Sequence, residues 1–348
     1  MAVTIKDVAR EARVSVASVS RVLNGHDNVK TDTRKRILAA VQRLHYTPNG
    51  AARSLITRRT ETLGALLPDL YGEFFSELIR GIDIAARARG LHLLVSSSHG
   101  DADEAAAALR TMRGKVDGLL VMSPYADADF LRRNLPPTVP TVLVNTPQAP
   151  ENCATLNVDN RAGAYAMVEH MAGLGCRRIV FIAGPEDNYD ARGRREGYLE
   201  AMRKLLPDRP VHIIQGAFTD RSGYLAGREL VEHGPRPDAV FAANDMMAIG
   251  CLSALHEAGL TVPDDIALAG FDDIPLARYV TPTLTTVRVH IAELGEKAIE
   301  RLVRQIEMPE AGIPGHHVLR TELVTRDSCG TGSHTPIRPR RKAIHYTK

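Results

Sequence analysis

The stretch "VSVASVSRVLNG", residues 14–25, places side chains that can recognise nucleic-acid bases on one side of a predicted short helix. The apolar residues that recur at helical spacing, and so predict its buried face, are Val14, Val19, Val22 and Leu23. Val16, Ala17 and Arg21 are left on the opposite side. Small apolar side chains fit thymine methyl groups, and an arginine can fork onto the O6 and N7 atoms of guanine. The short hydroxyl donors suited to phosphates or base edges are Ser15, Ser18 and Ser20.

Other residues of reactive type fall in patterns that do not support catalysis. The run "SSSHGD", residues 96–101, contains Ser, His and Asp, but neighbours in sequence cannot adopt triad geometry, and no G-x-S-x-G motif is present. The adjacent pairs Asp264–Asp265, Asp272–Asp273 and His316–His317 would point to opposite faces of a strand. The sequence also contains no phosphate-binding loop and no G-x-G-x-x-G motif. It therefore predicts no enzyme, no metal and no cofactor.

Charge is unevenly distributed along the chain. Residues 1–60 carry 12 Lys and Arg against 4 Asp and Glu, whereas residues 61–337 carry 27 against 37. Residues 338–348 add five basic residues and no acid. A basic head on a mildly acidic body indicates a polyanion partner for the head, with a merely solvated basic surface as the alternative. The basic tail either adds attraction to DNA or serves as a solubilising end.

Cysteine usage and hydropathy indicate the compartment. The four cysteines show no C-x-x-C spacing and are interpreted as reduced structural thiols; they are Cys153, Cys176, Cys251 and Cys329. The N-terminus "MAVTIKDVAR" lacks the apolar segment of a secretory signal, and no run of about 18 apolar residues exists. The sequence therefore predicts a cytoplasmic protein without a membrane span.

Three short helices are predicted in residues 1–46, and they position the stretch described first. "TIKDVAREA" begins at a Thr4 cap, Ser15 caps the second helix, and "TDTRKRILAAVQRLHY" forms the third. The residues expected to face inward on the third helix are Ile37, Leu38, Val41 and Leu44. Two short helices joined by a tight turn form the helix-turn-helix pattern, in which the second helix enters the major groove. A small bundle with an unremarkable surface is the alternative.

Strands alternate with amphipathic helices from residue 61 to residue 328. The predicted strands are "TLGALLP", "LHLLVSS", "VDGLLVM", "PTVLVN", "RRIVFIAG", "VHIIQG", "DAVFAAN", "DIALAGF" and a last one, "HHVLRTELVTRD". Such alternation predicts parallel sheets covered by helices, and the number of units favours two α/β lobes. The expected domains are an all-α head (1–46), a hinge helix and linker (47–60), a two-lobed α/β body (61–328) and a basic, disordered tail (329–348).

Two long stretches resemble one known family. "VTIKDVAREARVSVASVSRVLNG" and "ANDMMAIGCLSALHEAGLTVPDDIALAGFDDIPLARYVTPTLTTV" are closely similar to the LacI/GalR family of bacterial repressors, and the likeness continues to about residue 327. The resemblance implies a body with the fold of periplasmic sugar-binding proteins, in which two lobes close on a small molecule. It also implies a homodimer that binds a pseudopalindromic operator in double-stranded DNA.

The resemblance assigns DNA contacts beyond the second helix. Positions matching the family's phosphate contacts are Thr4, Asn24, Thr33, Tyr46 and Asn49. In the family, hinge helices from two protomers pair in the minor groove and insert a leucine, which matches Leu55 within "AARSL", beside Arg53. An apolar wedge of this kind unstacks a base step and kinks the duplex. Packing of Leu55 against the body is the alternative.

The resemblance also assigns a ligand site. The matching residues are Asp69, Phe75, Asn145, Asn188, Asp190, Arg194, Phe218, Asn244 and Asp272. Carboxylates, amides and an arginine suit hydroxyl groups, and an aromatic ring suits the C–H face of a sugar. A carbohydrate effector is therefore expected, with a nucleoside or another metabolite as the alternative. The other hypotheses for the whole chain are a sugar-transport component, opposed by the basic head, and a sugar-metabolising enzyme, opposed by the missing catalytic residues.

Overall fold

The computed structural model describes residues 3–23, 28–47, 59–150, 153–233, 235–311 and 315–330. The chain divides into two compact units, residues 1–60 (the head) and 61–348 (the body). Four residues predicted to contact DNA lie outside the described residues, namely Asn24, Asn49, Arg53 and Leu55. Most of the predicted hinge, and the tail from residue 331 onward, also lie outside them.

The head contains three helices, α1 (Ile5–Ala12), α2 (Val16–Leu23) and α3 (Thr31–Arg43). The Asp7 carboxylate accepts the Thr4 backbone N–H at 2.9 Å, and Ser15 Oγ accepts the Ser18 N–H at 3.1 Å, so α1 and α2 both begin where the sequence predicts. Ile37 is fully buried in the head core. The prediction for Leu38 is wrong, because its side chain is 45% exposed. One residue turns a helix by about 100°, so Leu38 cannot share the inward face that Ile37 and Val41 form at a spacing of four.

The body contains two parallel sheets and one antiparallel pair of strands. The first sheet has the order β11-β5-β4-β3-β1-β2, with β1 Thr62–Leu67, β2 His92–Ser97, β3 Gly118–Met122, β4 Thr141–Val144, β5 Ala154–Val158 and β11 His316–Leu319. The second has the order β7-β6-β8-β9, with β6 Ile179–Ala183, β7 His212–Gln215, β8 Ala239–Ala242 and β9 Ala267–Ala269. Strands β10 (Thr286–Arg288) and β12 (Glu322–Val324) form the antiparallel pair.

The helices of the body cover the two parallel sheets. They are α4 Glu73–Arg87, α5 Ala102–Met112, α6 Ala128–Asn134, α7 Asn160–Gly173, α8 Tyr189–Leu205, α9 Asp220–Glu232, α10 Asp245–Glu257 and α11 Ile291–Glu307. Short 3₁₀ helices occupy Pro275–Arg278, Pro309–Ala311 and Asp327–Cys329. We call the first sheet with α4, α5, α6 and α11 the first lobe, and the second sheet with α7 to α10 the second lobe. The predicted α/β class is therefore confirmed.

Within the described residues, the chain passes between the lobes three times, after β5, after β10 and after β11. The third passage corrects the prediction of one strand in "HHVLRTELVTRD". Its first half, β11, pairs with β5 in the first lobe, whereas its second half, β12, pairs with β10. The buried Asp273 carboxylate ties these segments together, because it accepts the Arg288 Nε–H at 2.6 Å and also pairs with Arg326. Burial alone would raise the pKa of Asp273, but the hydrogen bonds from both guanidinium groups outweigh it and lower the pKa.

The body extends past the predicted boundary at residue 328. Ser328 and Cys329 are both buried, and Ser328 Oγ donates to the Leu268 carbonyl oxygen in β9 at 2.6 Å. Cys329 therefore packs in the second lobe, whereas the sequence predicts that it begins the tail. All four cysteines are buried free thiols. Among the described helices, none has the length and apolar character needed to cross a bilayer.

Candidate functional site

Helix α2 presents a distinctive surface on the head. Val19 and Val22 are buried, whereas Val16 is 40% exposed and Ala17 and Arg21 are exposed as well. Among the described residues, the Arg21 guanidinium makes no hydrogen bond or ion pair. The outward side of α2 therefore offers two small apolar groups and one unpaired set of guanidinium donors, the combination that base edges in a major groove can satisfy.

The remaining DNA-contact candidates in the described head differ in their exposure and in the hydrogen bonds that they already make. Thr4 is exposed, but its hydroxyl donates to Asp7 at 2.7 Å. Ser15 and Ser18 share a hydrogen bond of 3.0 Å between their hydroxyl oxygens, in addition to the cap of α2. Ser20 and Thr33 are half-buried, and Tyr46 packs partly against the head core.

The body contains a cavity of about 190 Å³ where the two lobes meet. Every predicted ligand residue except Asn145 lines it: Asp69, Phe75, Asn188, Asp190, Arg194, Phe218, Asn244 and Asp272. Asp69 follows β1 and Asn244 follows β8, so the cavity lies at the carboxyl ends of parallel strands, where ligands bind in open α/β sheets.

Among the described residues, two backbone N–H groups of the second lobe donate hydrogen bonds to the first lobe in the segments that flank this cavity. The Tyr189 backbone N–H donates to the Pro124 carbonyl oxygen at 3.1 Å. The Leu276 backbone N–H donates to the Glu73 carboxylate at 2.8 Å. Each bond pairs a donor of the second lobe with an acceptor of the first, so both would break if the lobes moved apart.

Arg194 is the central cation of the cavity. Its Nη2 lies 2.8 Å from Asp272 Oδ1, its Nε–H donates to Asn160 Oδ1 at 2.8 Å, and its Nη1 donates to the Ala243 carbonyl oxygen at 2.6 Å. The guanidinium carbon also lies 3.9 Å from the centre of the Phe271 ring. A guanidinium has five N–H donors, so these contacts fix its plane and leave donors for a ligand.

The buried carboxylates beside Arg194 have shifted pKa values. Burial raises the pKa of Asp190 to about 6, although Arg194 and a hydrogen bond from Asn160 act in the opposite direction. Burial likewise raises the pKa of Asp272 to about 6, against the effect of Arg194. Behind them, burial and the proximity of Asp272 raise the pKa of Asp245 well above its usual range. Burial therefore disfavours the ionised forms of these carboxyl groups, and shifted pKa values of this kind are typical of functional sites.

The two asparagines at the cavity also begin helices. Asn188 Oδ1 accepts the Ala191 N–H at 3.1 Å and so caps α8. Asn244 Oδ1 accepts the Met247 N–H at 2.9 Å and caps α10, while its Nδ2 donates to the Phe218 carbonyl oxygen at 2.9 Å. Both side chains are thus fixed in place by the backbone around them.

Asn145 is the one residue matched to the ligand site whose position differs from that expectation. It is buried, it does not line the cavity, and its side chain instead hydrogen-bonds to Asp190. Strand β4 ends at Val144, and Asn145 then adopts a left-handed backbone conformation with φ of 47°. Within the described part of the chain, its Oδ1 atom has no hydrogen-bond partner. Asn145 therefore contributes to the site indirectly, through its hydrogen bond to Asp190.

Sequence reasoning missed several residues that line the cavity: Tyr71, Phe74, His99, Met122, Tyr125 and Met246. His99 could have been found, because it follows β2 just as Asp69 follows β1. Its Nδ1 lies 2.7 Å from Glu104 Oε2, and this contact raises the pKa of His99. His99, Phe218 and Asp272 all have positive φ. Such backbone strain in non-glycine residues clusters at ligand sites.

Family models match stretches of both the head and the body. Residues 4–49 match the model "Bacterial regulatory proteins, lacI family", and residues 168–329 match the model "Periplasmic binding protein-like domain". The ribose operon repressor of Escherichia coli strain K12 is 37% identical over 313 residues, covering 88% of this chain and 94% of that protein.

Two solved structures are similar over most of their length. The Lac repressor dimer bound to operator and the anti-inducer ONPF has a TM-score of 0.84 and 27% identity, covering 94% of this chain and 99% of that one. A LacI family transcriptional regulator from Enterococcus faecium with bound ribose has a TM-score of 0.70 and 26% identity, covering 77% and 98%. On its motifs, its fold and these similarities, the chain belongs to the lacI family of bacterial regulatory proteins.

Proposed function

We propose that this protein is a transcriptional repressor that binds a pseudopalindromic operator as a homodimer and responds to a small carbohydrate in the cavity between its lobes. The observation that carries the proposal is the outward side of α2, where Val16, Ala17 and Arg21 face solvent on an otherwise well-packed helix. Such a protein acts on the chromosome, which places it in the cytoplasm.

On the head, α2 reads bases in the major groove and the hydroxyl and backbone groups around it hold phosphates. Arg21 reads a guanine, and Val16 and Ala17 contact thymine methyl groups. Asn24 and Asn49 add phosphate contacts, Arg53 contacts DNA beside Leu55, and Leu55 is the minor-groove wedge. The operator-bound Lac repressor dimer, similar over nearly the whole chain, supports this arrangement.

On the body, the cavity joins groups from both lobes, so a ligand that contacts Asp69 and Arg194 at once favours one relative position of the lobes. That position sets how the two hinges of a dimer are spaced. Ligand and operator affinities are then coupled, typically by about 1–3 kcal/mol, and the coupling is reciprocal. The ribose-bound relative supports a sugar as the ligand.

Selection of binding sites from random DNA with the full-length protein tests the function. We expect an enriched palindrome, and we expect Arg21→Ala to weaken its binding by about 1–3 kcal/mol while affinity for unrelated DNA changes little. Arg10→Ala, which removes a guanidinium paired with Asp7 on α1, should affect both kinds of DNA alike. Equal losses for Arg21→Ala on both would contradict base reading. No enrichment at all would favour a sugar-binding component without a regulatory role.

A further inference from the structure

We propose that Asn160 is a positioning residue, which orients Arg194 for the ligand, keeps it apart from Asp190 and anchors it where the chain first passes between the lobes. Asn160 is not among the residues matched to the ligand site, and within the described part of the chain it does not line the cavity. Its role in binding rests on the proposed function, because the orientation of Arg194 matters only if the cavity binds a ligand.

Asn160 lies where the chain leaves the first lobe. Strand β5 ends at Val158, and Asn160 is the first residue of α7. The Asp159 carboxylate between them accepts the Ala162 N–H at 3.1 Å and so caps α7. Asn160 is buried, and a Cβ atom added at Gly193 in α8 would lie 3.0 Å from the Asn160 Cβ. The start of one helix and close packing against the next therefore fix the position of Asn160.

The Asn160 side-chain amide bridges two opposite charges on α8. Its Oδ1 accepts the Arg194 Nε–H at 2.8 Å, and its Nδ2 donates to Asp190 Oδ1 at 2.7 Å. Residues four apart on a helix lie on the same side, so Asp190 and Arg194 could otherwise pair with each other. An amide carries an acceptor and a donor side by side, whereas an ionised aspartate only accepts and an apolar side chain does neither. The amide therefore satisfies both charged groups while it separates them.

The second side-chain support of Arg194 is bonded to another passage between the lobes. Arg194 Nη2 lies 2.8 Å from Asp272 Oδ1. The Asp272 backbone N–H donates to the Val287 carbonyl oxygen at 2.7 Å, and the Asp272 carbonyl oxygen accepts the Val289 N–H at 3.3 Å. Both partners lie in β10 or directly after it, where the chain returns to the first lobe. Two passages between the lobes therefore hold the guanidinium through Asn160 and Asp272.

Loss of the Asn160 amide would redirect Arg194. Three of its five N–H groups are engaged, by Asn160, by Asp272 and by the Ala243 carbonyl oxygen. The guanidinium is planar and turns as one unit, so a lost contact changes the direction of every remaining donor. Without the amide between them, the opposite charges of Arg194 and Asp190 favour a direct pair. The donors that remain for a ligand would then point elsewhere.

The ionisation of Asp190 reports on its contact with Asn160. Burial raises the pKa of Asp190 to about 6, and Arg194 and the hydrogen bonds from Asn160 and Asn145 act in the opposite direction. The ionisable groups that interact with the Asp190 carboxyl group are Tyr125, Tyr189, Arg194 and Asp272. Removal of the Asn160 donor should raise the pKa of Asp190 further, so that its ionised form costs more stability above pH 6.

Asn160→Ala tests the contact with Asp190, because it removes the amide and keeps the Cβ atom that packs against α8. We expect the loss of Tm relative to the parent to be at least about 2 °C larger at pH 8 than at pH 5. In an Asp190→Asn background the loss should be equal at both pH values, because residue 190 no longer ionises. Equal losses at both pH values in the parent background would overturn the inference. Asn160→Ser, which keeps one hydroxyl group, is the second variant if Asn160→Ala does not fold.

Asn157→Ala is the matched control. Asn157 lies three residues earlier, in β5, and its side-chain amide accepts the Thr146 N–H at 3.2 Å and donates to the Thr146 carbonyl oxygen at 3.4 Å. The control therefore also loses one accepted and one donated hydrogen bond, but both partners are uncharged. Its effect on the Tm should be the same at pH 5 and pH 8. A pH dependence as large as that of Asn160→Ala would show that Asp190 is not its source, which overturns the inference.

Calorimetric titration of the full-length protein tests the orientation of Arg194, with ribose, glucose and cellobiose as the probes. For each sugar that the parent binds, we expect Asn160→Ala to bind at least about 10-fold more weakly and Asn157→Ala to bind as the parent does. An Asn160→Ala protein that binds such a sugar as tightly as the parent overturns the inference and leaves the carbohydrate effector intact.

A parent protein that binds none of the three sugars argues against the carbohydrate effector instead. A crystal structure of Asn160→Ala then decides the orientation without a ligand. Arg194 paired with Asp190 supports the inference, and Arg194 in its present position, still beside Asp272 and apart from Asp190, overturns it.

Discussion

At the scale of single residues, the cavity contains two carboxyl groups, those of Asp190 and Asp272, whose ionised forms are disfavoured by burial. Burial raises the pKa of each carboxyl group to about 6. The neighbouring Arg194 acts in the opposite direction and favours the ionised form of both. Asn160 links the two by accepting from Arg194 and donating to Asp190 at 2.7 Å. The arrangement gives directional acceptors to sugar hydroxyl groups at a cost to the stability of the body.

The cost of burying the Asp190 carboxylate predicts that the effect of Asp190→Asn on stability depends on pH. The folded-state pKa of Asp190 is raised from 3.8 to about 6, so the folded protein loses stability as the pH rises through 6 and the buried carboxyl ionises. We expect the variant to be more stable than the parent at pH 8, with the difference roughly 1 kcal/mol smaller at pH 5, where the parent's carboxyl is protonated. Tm values of both proteins at the two pH values measure this.

The exposed Asp208 provides the control for this prediction, since Asp208→Asn should change the Tm little at either pH. A difference between Asp190→Asn and the parent that is the same at pH 5 and pH 8 would show that burial does not dominate the titration of Asp190.

At the scale of elements, close contact between α4 and α11 organises the first lobe. A Cβ atom added at Gly81 in α4 would lie 2.1 Å from the Ala292 carbonyl oxygen in α11. Because that neighbour is backbone, the two helices would have to separate. We expect Gly81→Ala to lower the free energy of unfolding by about 1–3 kcal/mol, in spite of alanine's better helix propensity.

Gly173, at the end of α7, is the matched control because nothing lies within 4 Å of its added Cβ. Gly173→Ala should be neutral or stabilising by up to about 1 kcal/mol. Thermal and urea unfolding of both variants measure the contrast, and a Gly81→Ala protein as stable as Gly173→Ala would mean that α4 and α11 tolerate a wider separation.

The elements also show how far the sequence predicts the fold. The eight apolar segments quoted as strands before "HHVLRTELVTRD" all contain strands, because buried parallel strands are short apolar runs that stand out between helices. Strands β5 and β10 were missed. The run "ATLNV" of β5 contains polar residues, and β10 has only three residues, so neither forms a distinct pattern. The separate pairing of β11 with β5 and of β12 with β10 depends on tertiary contacts that no local pattern encodes.

The residues of the candidate site were also predictable only in part. Family resemblance names residues that chemistry alone would not select from a 348-residue chain, such as Asn188 and Phe218. It does not show that Asn145 is buried behind Asp190, because that depends on the left-handed turn after β4. The aromatic residues Tyr71 and Tyr125 reach the cavity through loop conformations, which periodicity does not predict.

At the scale of the whole molecule, the proposed operator binding needs two heads, and exposed apolar side chains of the second lobe are candidates for the dimer interface. The Tyr279 side chain is 80% exposed and follows the 3₁₀ helix Pro275–Arg278, in which Leu276 is also exposed. Large apolar side chains that protrude from a monomer commonly mark an interface, and this chain shows similarity to a repressor that forms a dimer.

We therefore expect Tyr279→Asp to shift the protein from dimer to monomer in sedimentation velocity. Linking two heads makes the second DNA contact intramolecular, so loss of the dimer should weaken operator binding by about 10²–10⁴-fold. Because the cavity lies within one chain, the Tm shift caused by a bound sugar should persist. Val211→Asp, an equivalent change at an exposed residue before β7, should leave the dimer intact. A Tyr279→Asp protein that stays dimeric would place the interface elsewhere on the body, and a monomer that keeps full operator affinity would separate DNA binding from dimerisation altogether.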